Sequence, residues 1–146
     1  MARDQIYYIK RENGGQYKMD HKKIEVKIET RTDYISIAFT GDLEYGMIED
    51  IKKELQAQSL ETENGYIIDM QKVTNIDSTG FGMIVNFAKK VSIKGKKIVI
   101  IVVDDFIRNL FAISQCDKVF PIVTKEEDAR QLIKGEWSGE LSLNDY

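Results

Sequence analysis

The sequence predicts an α/β fold in which a mixed β-sheet has helices packed on it, in the element order ββαβαβαβα. From residue 24 onward, strand-like and helix-like stretches alternate. This alternation is typical of parallel strands joined by right-handed helical crossovers. The first two strands are joined only by a tight turn at residues 30–33, so we expect them to be antiparallel and the sheet to be mixed.

The first two strands are predicted from apolar residues at every second position. Ile24, Val26 and Ile28 alternate with charged residues, which indicates a strand with one buried face. The second strand covers residues 34–39, and we expect the segment Gly41-Asp42-Leu43-Glu44 to end it.

The remaining elements are predicted from the spacing of apolar residues and from residues typical of helix ends. Apolar residues at helical spacing predict a first helix over residues 47–55, and a short apolar strand follows at 66–70. A second helix begins near Asp77 and ends at Gly95, and residues 97–103 are apolar on both faces, as in a covered strand. Asp104 or Asp105 caps a third helix.

The last strand and helix are predicted from a proline and from a capping pattern. Residues 119–122 form a short strand, and Pro121 places it at a sheet edge because proline cannot donate a ladder hydrogen bond. Thr124 and Glu127 have capping-box spacing at the start of a helix that runs to Ile133.

Both ends of the chain differ from this regular middle. In residues 1–23, Asn13-Gly14-Gly15 separates two β-prone stretches at 5–9 and 16–19, which favours a β-hairpin, and a loose tail is the alternative. Residues 135–146 form a polar, acidic tail. We therefore divide the chain into an N-terminal extension (1–23), one domain (24–134) and a C-terminal tail (135–146).

The composition argues against several classes of function. The chain has one histidine, His21, and one cysteine, so we expect no metal site, no disulfide and no cofactor. Its net charge of −3 does not favour binding to nucleic acid or to an anionic membrane. The longest aliphatic run, at 98–103, is far shorter than the ~20 residues of a membrane span. These features favour a soluble cytoplasmic protein.

The segment Asn75-Ile76-Asp77-Ser78-Thr79-Gly80-Phe81-Gly82 lies between a strand and the start of a helix. One interpretation is a helix cap supplied by Asp77 or Ser78. A hydrolase nucleophile would need flanking glycines and a second histidine, but position 76 is isoleucine and the chain has one histidine. A phosphate-binding loop would need a lysine, and this segment has none. A catalytic pair of Asp69 and Asp77 is a further alternative.

The same segment resembles the phosphorylation loop of the STAS family, and specifically of single-domain bacterial anti-sigma factor antagonists, which carry Asp-Ser-Ser/Thr-Gly-Leu-Gly between a strand and a helix. Gly41-Asp42-Leu43-Glu44 and Lys94-Gly95-Lys96 match two further motifs of the family in order. The match extends through residues 108–111 and 117–122, so that the resemblance covers residues 24–133.

The resemblance implies a switch and not an enzyme. The unphosphorylated antagonist binds an anti-sigma serine kinase and thereby releases a sigma factor; the kinase phosphorylates the loop serine, and a PP2C-type phosphatase removes the phosphate. Ser78 matches the acceptor, and Thr79 is the less favoured hydroxyl. Alternatives are a scaffold subunit of a larger signalling complex and a transporter-associated STAS subunit. The expected partner-binding residues are Asp42, Glu44, Asp77, Ser78, Thr79, Gly80, Phe81, Gly82 and Met83.

Overall fold

The computed structural model describes residues 3–11, 22–57 and 65–135. The described strands form one sheet, in the spatial order β1-β2-β3-β4-β5-β6. Its strands are β1 (Arg3–Arg11), β2 (Lys22–Thr30), β3 (Tyr34–Leu43), β4 (Gly65–Ile76), β5 (Lys97–Ile101) and β6 (Ile122–Val123). The helices are α1 (Ile48–Ala57), α2 (Ser78–Ile93), α3 (Asp105–Ile113) and α4 (Glu126–Lys134), with a short 3-10 helix at Cys116–Lys118. From β2 onward, the element order is the predicted one.

The sheet is mixed, as predicted. β1 pairs with β2 and β2 with β3 in antiparallel fashion, whereas each neighbouring pair from β3 to β6 is parallel. The proposed hairpin turn at residues 13–15 and its second strand at 16–19 lie outside the described residues.

The sheet is covered on both faces around β5. Ile98 and Ile100 of β5 belong to the larger apolar cluster, which includes buried residues of α1, α2 and α3. Val99 and Ile101 belong to a smaller cluster with Ala129 and Ile133 of α4. The continuous apolar character of β5 is thereby explained, because the strand is buried on both sides.

Strands β3 and β4 are longer than the sequence predicted. We expected them to end near residues 39 and 70, but they end at Leu43 and Ile76. β5 pairs with β4 only over residues 65–69, whereas β3 continues beside β4 as far as Leu43 and Ile76. We call this extension, residues 40–43 with 72–76, the β3–β4 ribbon. Polar residues are tolerated in the ribbon because it extends past β5.

The C-terminal part corrects two predictions. The last strand is Ile122–Val123, a few residues later than expected, although it does lie at a sheet edge. The capping box of Thr124 and Glu127 is wrong, because α4 begins at Glu126 after Lys125 and has no side-chain cap. Three acidic residues in its first turn face the positive end of the helix dipole instead.

Candidate functional site

The motif at residues 75–82 lies where the β3–β4 ribbon ends and α2 begins. β3 and β4 are parallel, so their carboxyl ends lie side by side, with Asp42 opposite Asn75 and Leu43 opposite Ile76. This pairing brings together the two acidic motifs that the sequence places more than thirty residues apart.

Asp77 joins these two segments and is the N-cap of α2. Its Oδ1 accepts a hydrogen bond of 2.9 Å from the backbone N–H of Gly80, and its Oδ2 accepts one of 2.9 Å from the backbone N–H of Tyr45. The Asp77 N–H in turn donates to the carbonyl oxygen of Leu43, at 3.2 Å. From the sequence, either Asp77 or Ser78 could cap α2, and the structure shows that Asp77 does.

Ser78 and Thr79 are the first two residues of α2, and both are exposed. Because Asp77 makes the cap, the hydroxyl of Ser78 is not needed for that purpose. The Ser78 side chain therefore lies on the surface at the positive end of the helix dipole, where a negative charge is favoured.

The two glycines of the motif have different surroundings. Gly80 is buried, and a Cβ on it would lie 2.8 Å from the carbonyl carbon of Leu43 and closer still to its oxygen. A side chain here would push α2 away from the end of β3. A Cβ on Gly82 would meet no atom within 4 Å, so packing within this chain does not require a glycine at that position.

Phe81 and Met83 contribute more to packing than to the surface. The ring of Phe81 meets the ring of Phe111 edge-on, with centroids 4.9 Å apart, and so ties the start of α2 to α3. Met83 is only 6% exposed and belongs to the larger apolar cluster. Most of the Met83 side chain therefore points towards the core, and only a small part of it is exposed for a partner to contact.

Asp42 is held in place by the neighbouring strand. Its Oδ1 accepts hydrogen bonds from Asn75 Nδ2 at 2.8 Å and from Thr74 Oγ1 at 3.1 Å. Glu44 begins the turn into α1, where its carbonyl oxygen accepts a hydrogen bond from the Met47 N–H at 2.9 Å. Asp42 and Glu44 therefore lie at the same end of the sheet as Asp77.

Tyr45 is a surface residue that the sequence reasoning missed. Its side chain is 77% exposed, while its backbone N–H is bound by Asp77. An exposed aromatic ring beside a polar motif is typical of interaction surfaces. In the sequence, its position directly after Gly41-Asp42-Leu43-Glu44 was the one feature that linked Tyr45 to the site.

The alternative of a catalytic Asp69–Asp77 pair is wrong. Asp69 lies within β4 and Asp77 follows the end of that strand, so the two are separated by ~25 Å at the rise of a β-strand. Asp69 instead accepts hydrogen bonds from the backbone and side chain of Gln71. In the described part of the chain, no cluster of three or more His, Cys, Asp or Glu residues could hold a metal ion.

A family model for the STAS domain matches residues 24–129. The chain belongs to the STAS domain family. The match begins at the first residue of the regular β-pattern and ends within α4, so it includes the ribbon, the Asp77 cap and α2.

Solved structures share the fold of this STAS domain. An anti-sigma factor antagonist from Mycobacterium paratuberculosis is 16% identical with a TM-score of 0.69, and 76% of this chain and 94% of that chain are covered. The anti-sigma factor antagonist SpoIIAA in its unphosphorylated form is 15% identical with a TM-score of 0.60, covering 77% and 99%. A sulfate transporter family protein from Wolinella succinogenes is 17% identical with a TM-score of 0.58, covering 73% and 89%. At these identities the likeness concerns the fold. None of the helices described for this STAS domain is long and apolar enough to span a membrane.

Proposed function

We propose that this STAS domain, residues 24–134, is an anti-sigma factor antagonist controlled by phosphorylation of Ser78. Unphosphorylated, it binds an anti-sigma serine kinase, which then releases its sigma factor. The observation that carries the proposal is the exposed position of Ser78 at the start of α2, directly after the capping Asp77. The similarity in fold to two anti-sigma factor antagonists supports it.

Phosphorylation at this position changes the surface without requiring a change of fold. A phosphate adds about −1.5 to −2 charges at neutral pH. The N-terminus of α2 accommodates that charge through its dipole. The neighbouring Asp42, Glu44 and Asp77 are acidic, so a phosphate at Ser78 makes this end of the sheet strongly negative. We infer that kinase binding is lost through charge repulsion and steric blockage.

The experiment is a phosphorylation and binding assay with the serine kinase homologues encoded in the same genome. Intact mass is measured after incubation with one kinase and ATP, and complex formation is measured by calorimetry. We expect one added phosphate on the wild type and on Thr79→Ala, and none on Ser78→Ala. A PP2C-type phosphatase is expected to remove the phosphate.

Ser78→Ala and Ser78→Asp form the matched pair for binding. We expect Ser78→Ala to bind the kinase about as tightly as the wild type, and Ser78→Asp to bind at least ~10-fold more weakly because of like-charge repulsion. If Ser78→Asp and the wild type bound the kinase equally tightly, the proposed switch would be contradicted. If Ser78→Ala were still phosphorylated, the acceptor would be a residue other than Ser78.

A transporter-associated role is the second candidate, because the fold is also shared with a sulfate transporter family protein. In that case the chain is expected to co-purify with an integral membrane protein and to form no complex with a soluble serine kinase.

A scaffold subunit is expected to elute from gel filtration far above the mass of one chain. Affinity purification from detergent-solubilised cells followed by gel filtration distinguishes the three roles.

A further inference from the structure

A groove of about 470 Å³ lies between α1 and α2, towards the carboxyl ends of both helices. The apolar and charged residues that line the groove include Lys52, Leu55, Phe87, Lys89, Lys90 and Ile93.

The floor of the groove is apolar and held in place. The ring of Phe87 meets the ring of Tyr66 of β4 edge-on, with centroids 5.7 Å apart, which fixes it against the sheet. Leu55 lies on the opposite wall and is partly buried. At the edge, the side chain of Ile93 is 85% exposed. Together these residues present apolar surface that a partner could bury.

The rim of the groove is cationic. Lys52 lines the α1 side, Lys89 and Lys90 line the α2 side, and all three are exposed. Among the described residues, no acidic side chain lines the groove. Lys52 pairs with Glu49 at 3.4 Å on the helix surface, and an exposed pair of this kind is weak enough for a competing carboxylate to replace it.

We propose that this groove binds an acidic amphipathic helix of a partner protein. The apolar face of such a helix covers Leu55, Phe87 and Ile93, while its carboxylates face the three lysines. Along α2, the groove extends from Met83 to Ile93, or ~15 Å at 1.5 Å per residue. This length suits a helix that inserts apolar residues at i, i+3, i+4 and i+7.

The lysines of the groove are distant from the phosphorylation loop. Ser78 and Lys89 are eleven residues apart on α2, ~16 Å along the helix axis, whereas Met83, at the near end of the groove, is ~7.5 Å from Ser78. The proposal therefore does not depend on the role of Ser78. We expect a peptide in the groove to bind equally well to wild type and to Ser78→Asp.

The test uses the full chain and a synthetic amphipathic peptide of about 14 residues, nearly four helical turns. The peptide carries leucines at i, i+3, i+4 and i+7 and glutamates on its polar face. A control peptide has lysines in place of the glutamates. Affinity is measured by calorimetry, and the binding site is mapped from NMR amide shifts. We expect the acidic peptide to shift amides of α1 and α2 around the groove.

Charge reversal separates the groove from general attraction. We expect Lys89→Glu/Lys90→Glu to weaken binding of the acidic peptide at least ~10-fold. The exposed residues Lys72 and Lys118 lie outside the groove. The double variant Lys72→Glu/Lys118→Glu makes the same change in net charge, and we expect it to change affinity less than about 2-fold at physiological salt. All four lysines are exposed, so we expect both double variants to fold, which circular dichroism verifies.

Four results would overturn the proposal. The first is that the lysine peptide binds as tightly as the acidic one, and the second is that the amide shifts fall outside the groove. The third is that anionic phosphatidylglycerol vesicles bind through Lys89 and Lys90 while the acidic peptide does not bind. The fourth concerns residues 136–146, which contain Glu136, Glu140 and Asp145 and no basic residue. If a chain that ends at residue 135 binds the peptide far more tightly than the full chain, the chain's own tail is the occupant.

Discussion

The carboxylate of Asp77 binds the backbone N–H of Tyr45 at 2.9 Å, although 32 residues separate them in sequence. The same side chain caps α2 through the N–H of Gly80. One residue therefore fixes both the start of the helix that carries Ser78 and the turn that follows β3.

Replacing Asp77 is expected to be more costly than replacing an ordinary cap. Asp104 is the matched control, because it caps α3 with one hydrogen bond of 2.9 Å to the N–H of Ile107. We expect Asp104→Ala to lower the free energy of unfolding by about 1 kcal/mol. Asp77→Ala should lower it by about 2 kcal/mol because it also loses the bond to Tyr45. Urea denaturation measures both. Equal losses would show that the bond to Tyr45 adds nothing to stability.

The two glycines of the motif are expected to respond in opposite ways to alanine. Gly80→Ala places a Cβ against the backbone of Leu43, which cannot move without shifting β3, so we expect a loss of about 2–4 kcal/mol. Gly82→Ala has open space around it and a helical backbone, so we expect a gain of about 0.5–1 kcal/mol. Thermal unfolding of the two variants gives the comparison. A stable Gly80→Ala would contradict the close approach of α2 to β3.

A negative charge at Ser78 is expected to leave the fold intact. Ser78→Asp adds an anion to the first turn of α2, where the helix dipole contributes about 0.3–1 kcal/mol in its favour. Ser92, exposed in the last turn of the same helix, provides the control. Ser92→Asp should lower stability by a similar amount. If Ser78→Asp unfolds more easily than Ser92→Asp, the proposed switch would act by destabilising the domain and not by altering its surface.

The titration of Glu127 tests the electrostatics of α4. The hydrogen bond and charge of Arg130 hold the pKa of Glu127 below its usual value. A lowered pKa means that the pair stabilises the folded state above the unfolded pKa of glutamate, and that this contribution is lost as pH falls through the lowered pKa. Arg130→Gln should therefore raise the pKa of Glu127, as measured by NMR, while Arg108→Gln on α3 should not. An unchanged titration in Arg130→Gln would rule out the pair as the cause.

The sequence predicted the regular elements because they have strong periodic signals. Ile24, Val26 and Ile28 are all buried. Of the strand expected over residues 97–103, residues 98–102 are buried, but β5 ends at Ile101 and both Lys97 and Val103 are exposed. The lengths of β3 and β4 were not predictable in this way. Beyond residues 39 and 70 the chain is largely polar, and its strand conformation comes from pairing between β3 and β4, which a local pattern does not reveal.

The site was predictable in part. The motif itself pointed to a helix start, and Asp77 and Ser78 were both candidate caps by residue type alone. The choice between them depends on Tyr45 and Gly80, which meet Asp77 only in the folded chain.

The β3–β4 ribbon gives the candidate site its own route to local opening. β5 does not extend alongside residues 72–76, so these residues rely on β3 for their sheet hydrogen bonds. Amide protons there are expected to exchange with solvent faster than those of residues 65–69, through fluctuations that leave the rest of the sheet closed. Under the proposed function, a kinase that draws Ser78 into its active site would approach it beside a stretch of β4 that is paired on one side only.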